Sequence, residues 1–260
     1  MASTHVWYVS YGSNMSASRF ALYIRGGRPH GGARRNPGAR DSTPPLRSIP
    51  VDLPGTVYFA GESPQWGGGV AFYDHETPGG AAGRGYLVTP AQLADVVAQE
   101  MYRLPQEGDP LEEVVTAPLT DGRHTFGPGR YETLVEVGRV ERSPLLTFTS
   151  PYGADQVPHN PPSPAYLEHV RIGLRESRGW DDDAIDAYVD RLARQGRPSA
   201  RPGGPIARQA SRSRQLRPST TAGVATTSAS LTGSISRNCA HSVSTSTTCA
   251  PRHASITESA

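Results

Sequence analysis

Hydrophobic and polar positions alternate over several short stretches of this 260-residue chain, and alternation of this kind predicts strands. The first stretch covers residues 5–11 and ends in aromatic side chains. Gly or Pro bounds the next three, as is typical of short strands. The later strands are predicted at residues 56–61, 69–73, 83–88, 131–140 and 145–149. The pattern therefore predicts a sheet of several strands.

Helices are predicted where apolar residues recur every three or four positions. Phe20 and Ile24 define such a face directly after the first strand. Later in the chain, Ser163 begins a helix that Gly179 ends, and Asp181 caps the last helix. Strands and helices do not alternate strictly. This order favours an α+β domain, with a small mixed or antiparallel sheet or a barrel and flanking helices.

Residues 25–54 are dense in Gly, Pro and Arg and carry little periodicity, which predicts a long surface loop. Five arginines in the first half of this loop could hold an anion or simply form a solvated surface. We do not expect nucleic-acid binding, because the arginines are not interleaved with aromatic residues.

The composition changes after about Arg197. Residues 1–197 hold 19 Arg and 23 Asp and Glu (net −4), whereas residues 198–260 hold 7 Arg and Glu258 alone (net +6). Ser, Thr, Arg, Pro and Ala dominate the second part, which cannot bury enough apolar surface to fold. We predict one domain over residues 1–197 and a disordered tail over 198–260. The abrupt change also fits a shifted reading frame.

Several classes of protein are disfavoured by what the sequence contains. Both cysteines, Cys239 and Cys249, lie in the predicted tail, so the body offers no disulfide and no thiol nucleophile. Its histidines are scattered, which argues against a metal-dependent deacylase, and it has no Gly-x-Ser-x-Gly motif of a serine hydrolase. Without a signal peptide or an 18-residue apolar stretch, we expect a cytoplasmic protein with no membrane contact.

Glu100 is a misfit on the apolar face of a helix that a capping-box pattern begins at Pro90. It lies seven residues beyond Leu93 and three beyond Val97, so its carboxylate is expected to point towards the core. Burial disfavours the charged form and raises the pKa, which suits a general acid/base at neutral pH. The alternative is that Glu100 lies at the edge of this face and reaches solvent.

The tetrapeptide Tyr11-Gly12-Ser13-Asn14 joins the first strand to the first helix. Backbone N–H groups at the positive end of a helix can bind a carboxylate or phosphate, and Gly12 would let a ligand approach the backbone closely. A tight turn in which Ser13, Asn14 or Ser16 caps the helix explains the same residues.

Three motifs in this order resemble those of the γ-glutamylcyclotransferase-like family. The first is "YGSNM", with Arg19 at the family's spacing after it. The second is "QWGGGVAFYDHETPGGAAGRGYLVTPAQLADVVAQE", with a Trp-x-Gly-Gly strand and a terminal Glu. The third is "NPPSPAYLEHVRIGLRESRGWDDDAIDAYVDRLA". Together they cover most of residues 5–194.

The resemblance implies a fold and a role for each matching residue. Glu100 would be the catalytic acid/base, and Tyr131 would form a second wall of the site. The loop that binds the substrate would comprise Tyr11, Gly12, Ser13, Asn14 and Met15.

The implied activity is the cyclisation of a γ-glutamyl group to 5-oxoproline, with release of an amine and without a metal or other cofactor. Departures from the family's pattern, Met-Tyr-Arg after Glu100 and Leu146 near the last strand, leave the identity of that amine open. The partner would be a small γ-glutamyl molecule, and the oligomeric state is undetermined. The alternatives are a non-catalytic binding protein with the same fold and, at lower weight, an amide hydrolase or deacylase.

Overall fold

The computed structural model describes residues 5–195. Its strands are β1 (Val6–Ser10), β2 (Ser48–Ala60), β3 (Val70–Val88), β4 (Arg123–Thr125), β5 (Thr133–Val140) and β6 (Ser143–Thr149). Its helices are α1 (Ala17–Arg25), α2 (Pro90–Glu100), α3 (Leu111–Val114), α4 (Pro164–Arg178) and α5 (Asp182–Gln195), with short 3-10 turns at Ser13–Met15 and Thr120–Gly122. The predicted tail, residues 198–260, lies outside the described residues.

The six strands form one mixed sheet in the order β2-β3-β1-β6-β5-β4. Strands β1 and β6 are parallel, and every other neighbouring pair is antiparallel. The sheet is open, with β2 and β4 at its edges. The predicted α+β class is therefore confirmed, and of the two architectures left open the sheet is the one observed.

Strand β1 lies at the centre of the sheet and is buried along its whole length. Successive side chains of a strand point to opposite faces. Val6 and Tyr8 accordingly join the apolar core formed with α1 and α2, whereas Trp7 and Val9 join the core formed with α4 and α5. The strand reads as one apolar run because helices cover both faces of the sheet.

The helix boundaries follow the capping residues predicted from the sequence. Thr89 and Gln92 make the reciprocal hydrogen bonds of a capping box at the start of α2. The Ser163 side chain caps α4, and Gly179 ends that helix in the left-handed conformation. Asp181 Oδ1 accepts a hydrogen bond from the N–H of Ala184 at the start of α5.

The hairpin of β2 and β3 differs from the prediction. The loop is predicted over residues 25–54, but in the structure it ends at Arg47. Strand β2 begins at Ser48 although it contains Pro50 and Pro54. These prolines are tolerated because β2 is an edge strand, where N–H groups need no partner on the outer side. The two strands predicted at 69–73 and 83–88 are one strand, β3, whose middle is exposed and rich in Gly and therefore resembles a turn in sequence.

Candidate active site

A cavity of about 220 Å³ opens beside the end of β1, where the strand continues into the tetrapeptide. It lies between this segment, the end of α2 and the N-terminal part of α4. Six of the seven residues predicted for the site line it: Tyr11, Gly12, Ser13, Asn14, Glu100 and Tyr131. Residues from distant parts of the chain are thus brought together around one space.

Met15 is the predicted site residue that does not line the cavity. Its side chain is fully buried in the core beneath α4. Met15 packs so closely against Gly173 of this helix that a Cβ added to the glycine would lie 2.4 Å from the Met15 Cβ. Its carbonyl accepts hydrogen bonds from Arg84 and from the Tyr86 hydroxyl. The structure therefore places Met15 in the packing that supports the loop, because the chain has already turned into a helical conformation at this residue.

Tyr166 fixes the backbone of the loop. The N–H of Ser13 donates to the Tyr166 hydroxyl at 3.1 Å. A Cβ on Gly12 would lie only 2.3 Å from the same oxygen, so the glycine is required for this approach. Nothing in the sequence indicated that Tyr166 belongs to the site, although the residue lies in "NPPSPAY" at the start of the third motif.

The N-terminal end of α1 is capped from within the chain, as in the alternative in which Ser16 caps the helix. The Ser16 hydroxyl accepts from the N–H of Arg19, and a carboxylate oxygen of Glu176 accepts from the N–H of Ala17 at 2.8 Å. The N–H groups of Ala17 and Arg19 at this end of the helix are therefore already hydrogen-bonded.

Glu100 is the last residue of α2, and its half-buried carboxylate faces the cavity rather than the packed core. Asn14 Nδ2 donates to Glu100 Oε1 at 3.0 Å. Burial raises the pKa of Glu100, while the charges of Arg19 and Arg130 and hydrogen bonds from Tyr23 and Asn14 oppose this shift. Burial dominates, so the net direction is upward and the group can exchange a proton nearer to neutral pH than an ordinary Glu.

Arg19 is buried beside this carboxylate and supports it indirectly. Its guanidinium donates to the Tyr23 hydroxyl at 2.9 Å and to Asn36 Oδ1 at 3.1 Å, and it stacks on the Tyr23 ring at 4.4 Å. Tyr23 therefore connects the guanidinium to Glu100. The signal for Arg19 was present in the sequence as its spacing from the tetrapeptide, but Tyr23 carried no such signal.

The side-chain amide of Asn14 is only partly hydrogen-bonded. Its amide nitrogen faces Glu100 and also lies 3.3 Å from the Tyr8 hydroxyl, whereas its buried oxygen has no partner among the described residues. An unpaired buried acceptor is costly and rare. The described residues therefore do not complete the hydrogen bonding of the Asn14 amide, which lies directly beside the carboxylate of Glu100.

Aromatic side chains form the opposite wall. The Tyr131 hydroxyl donates to the carbonyl of Ala71 at 2.8 Å, and the Tyr11 hydroxyl donates to the carbonyl of Phe148 at 2.9 Å. Burial raises the pKa of both phenols, so both remain protonated. These hydroxyls are engaged with the backbone, and the two tyrosines can shape the cavity but are poorly placed to exchange protons.

Residues 5–195 contain no group of three or more His, Cys, Asp or Glu side chains arranged to hold a metal ion. Within the same residues, no helix combines the length and the apolar character needed to cross a bilayer.

Comparison with known proteins gives similarities in sequence and in structure. Histone deacetylase 5 of Arabidopsis thaliana is 29% identical over 212 residues, which make up 74% of this chain but 31% of that protein. This chain thus spans about a third of the relative's length. No protein-family model matches the chain.

The structural neighbours include a gamma-glutamyl cyclotransferase, at 14% identity and a TM-score of 0.44, with 77% of this chain and 92% of that chain covered. An uncharacterised protein from Homo sapiens is also similar, at 16% identity and a TM-score of 0.42, with 78% and 94% covered. The similarity to both is one of fold.

Proposed function

We propose that this chain is an enzyme that cyclises a γ-glutamyl group to 5-oxoproline and releases an amine. The observation that carries the proposal is Glu100, a carboxylate with a raised pKa that faces a cavity and lies beside the unpaired oxygen of Asn14. Of the three sequence motifs that resemble the γ-glutamylcyclotransferase-like family, the first contains Asn14 and the second ends at Glu100.

The γ-glutamyl group offers an α-carboxylate and an α-amine at one end. The carboxylate lies against the loop of residues 12–14, which carries no negative side chain and therefore favours an anion. There it competes with the Ser10 and Tyr166 hydroxyls, which accept from the N–H groups of Gly12 and Ser13. The Asn14 oxygen and Glu100 accept hydrogen bonds from the amine. This arrangement satisfies the Asn14 oxygen, and it brings the amine to the group that removes its proton.

Glu100 takes a proton from the α-ammonium group, and the freed amine attacks the γ-carbonyl carbon. A nitrogen–carbon bond closes the five-membered ring, and the ring nitrogen gives its second proton to Glu100, which has already released the first to solvent. The bond between the same carbon and the leaving nitrogen breaks as Glu100 passes this second proton to that nitrogen. The nucleophile belongs to the substrate, so its approach costs little entropy. No cofactor is needed for this sequence of proton transfers.

A panel of γ-glutamyl amides tests the proposal, with 5-oxoproline detected by mass spectrometry. We expect 5-oxoproline from amides with a free α-amine and no turnover of N-acetylated amides, which lack the nucleophile. Release of N-acetylglutamate would identify an amide hydrolase instead. Binding of the amides without any product would identify a non-catalytic binding protein.

A further inference from the structure

The mouth of the cavity is rich in arginines without acidic partners. Besides the buried Arg19, four arginines line the cavity, and Glu100 is the single acidic residue among the described lining residues. These four are Arg34, Arg35, Arg103 and Arg130. Within residues 5–195, none of the four forms an ion pair with a carboxylate. By contrast, Arg40 of the same surface loop pairs with both Asp95 and Glu112.

Two of these arginines converge on one tyrosine ring. The guanidinium carbon of Arg34 lies 4.4 Å from the centre of the Tyr102 ring, and that of Arg130 lies 5.2 Å from it. The two arginines come from the loop after α1 and from the segment before β5. Contacts of guanidinium groups with an aromatic face hold both charges near the ring.

Tyr102 itself adopts an unfavourable backbone conformation. Its φ of 58° lies in the left-handed region, where a tyrosine is strained, and its side chain is 42% exposed. Two hydrogen bonds at the end of α2 hold this conformation, from the N–H of Tyr102 to the carbonyl of Gln99 and from the N–H of Arg103 to the carbonyl of Ala98. The strained residue lies two positions after Glu100, at the point where a substrate would leave the inner part of the cavity.

We infer that Arg34, Tyr102 and Arg130 bind a negatively charged group on the amine half of the substrate. The inference rests on the proposed function: with the γ-glutamyl end at residues 12–14 and Glu100, the amine half must extend towards the mouth. Guanidinium groups bind carboxylate and phosphate oxygens with paired hydrogen bonds, and an unpaired basic mouth also attracts anions from solution. The preferred leaving amine therefore carries an anionic group.

Three substrates that differ at this group test the inference: γ-glutamyl-alanine, γ-glutamyl-phosphoethanolamine and the neutral γ-glutamyl-ethylamide. The first two distinguish a carboxylate from a phosphate. A hydrogen bond to a charged group contributes about 1.5–3 kcal/mol. We therefore expect kcat/KM for the better anionic substrate to exceed that for the ethylamide by about 10- to 100-fold. This ratio should fall as salt is added.

The double variant Arg34→Gln/Arg130→Gln should reduce this ratio to near one. Arg142→Gln is the matched control, because Arg142 is exposed and does not line the cavity, and the ratio should not change. The ratio is the readout because loss of Arg130 also changes the pKa of Glu100, which affects all three substrates alike. Equal kcat/KM for all three in the unaltered protein, or an unchanged ratio in the double variant, would overturn the inference.

Calorimetric titration of the same three compounds into Glu100→Gln separates the two proposals, since it measures binding without turnover. One outcome is that the unaltered protein releases 5-oxoproline from none of the compounds, while the anionic compounds bind Glu100→Gln more tightly through Arg34 and Arg130. The proposed reaction then fails and anion recognition stands. If 5-oxoproline forms at equal rates and binding is equal, the reaction stands and anion recognition fails. Equal binding without product would reject both.

Discussion

Helix α2 carries two carboxylates with raised pKa values, Asp95 and Glu100, and the chain holds them differently. Asp95 accepts hydrogen bonds from the backbone N–H of Arg40 at 2.8 Å and from its guanidinium at 2.9 Å, and its side chain is 1% exposed. Glu100 accepts from the neutral side chain of Asn14 and faces a cavity. Burial raises both pKa values. A shifted pKa therefore does not distinguish the two, whereas accessibility to a ligand does.

The largest expected effect separates the two carboxylates by activity. Glu100→Gln should lower turnover by about 10²–10⁴-fold, because the amide keeps the size of the side chain but cannot carry the proton. The measurement is 5-oxoproline release by protein whose circular dichroism spectrum is unchanged. Glu113→Gln, which alters an exposed carboxylate outside the cavity, is the control. Full turnover by folded Glu100→Gln would reject the assignment.

The reverse effect is expected at the other carboxylate. Asp95→Ala leaves the N–H and guanidinium of Arg40 without this acceptor, so the free energy of unfolding should fall by about 2 kcal/mol while kcat stays within about twofold. Urea denaturation and initial rates measure the two quantities. If Asp95→Ala abolished turnover without loss of stability, the contrast between the two carboxylates would be wrong.

A third prediction concerns the pH dependence of catalysis. A hydrogen bond from Tyr23 lowers the pKa of Glu100, so Tyr23→Phe should raise this pKa. The base must be ionised to act, and the acidic limb of kcat/KM should therefore move to higher pH, by about half to one unit if the bond has ordinary strength. Tyr152→Phe changes an exposed tyrosine outside the cavity and should leave the profile in place. A shift to lower pH would contradict the prediction.

The smallest effect concerns stability. Because the pKa of Glu100 is raised in the folded state above its ordinary value of 4.5, the folded state binds more protons than the unfolded state in the pH range above 4.5. The contribution of Glu100 to stability is therefore fully present below this pH and is lost as pH rises through the folded-state pKa. The stability of Glu100→Gln minus that of the unaltered protein, measured by thermal unfolding, should therefore increase from pH 4 to pH 7. If this difference in stability did not change with pH, the pKa of Glu100 would be the same in the folded and unfolded states, and the prediction would be wrong.

Local signals in the sequence predicted much of the fold and part of the site. Capping residues and apolar periodicity were sufficient for α2, and they placed Glu100 at its end. The start of β2 was missed because Pro50 and Pro54 disfavour a strand unless its outer edge is free, which only the sheet order reveals. Local propensity cannot anticipate such tertiary context.

The site residues that were missed depend on packing between distant segments. Tyr23 reaches Glu100 because α1 packs against α2, and Tyr166 reaches residue 13 across 153 positions of sequence. The convergence of Arg34 and Arg130 on Tyr102 joins two irregular segments, for which no periodicity exists to guide a prediction. The resemblance of the motifs pointed to residues 11–14 and to Glu100, which line one cavity, but not to Tyr23, Arg34 or Arg130.

The central position of β1 has a consequence for how the protein folds as it is synthesised. This strand precedes both of its neighbours in the chain, and its parallel partner β6 begins more than 130 residues later. Pairings of such long sequence separation form slowly, because a large loop must close before they stabilise the fold. During translation one edge of β1 therefore stays unpaired. The tetrapeptide also lacks its hydrogen bonds to Phe148 and Tyr166 until these residues have left the ribosome. We expect the nascent chain to depend on chaperones during this interval, since exposed strand edges aggregate readily.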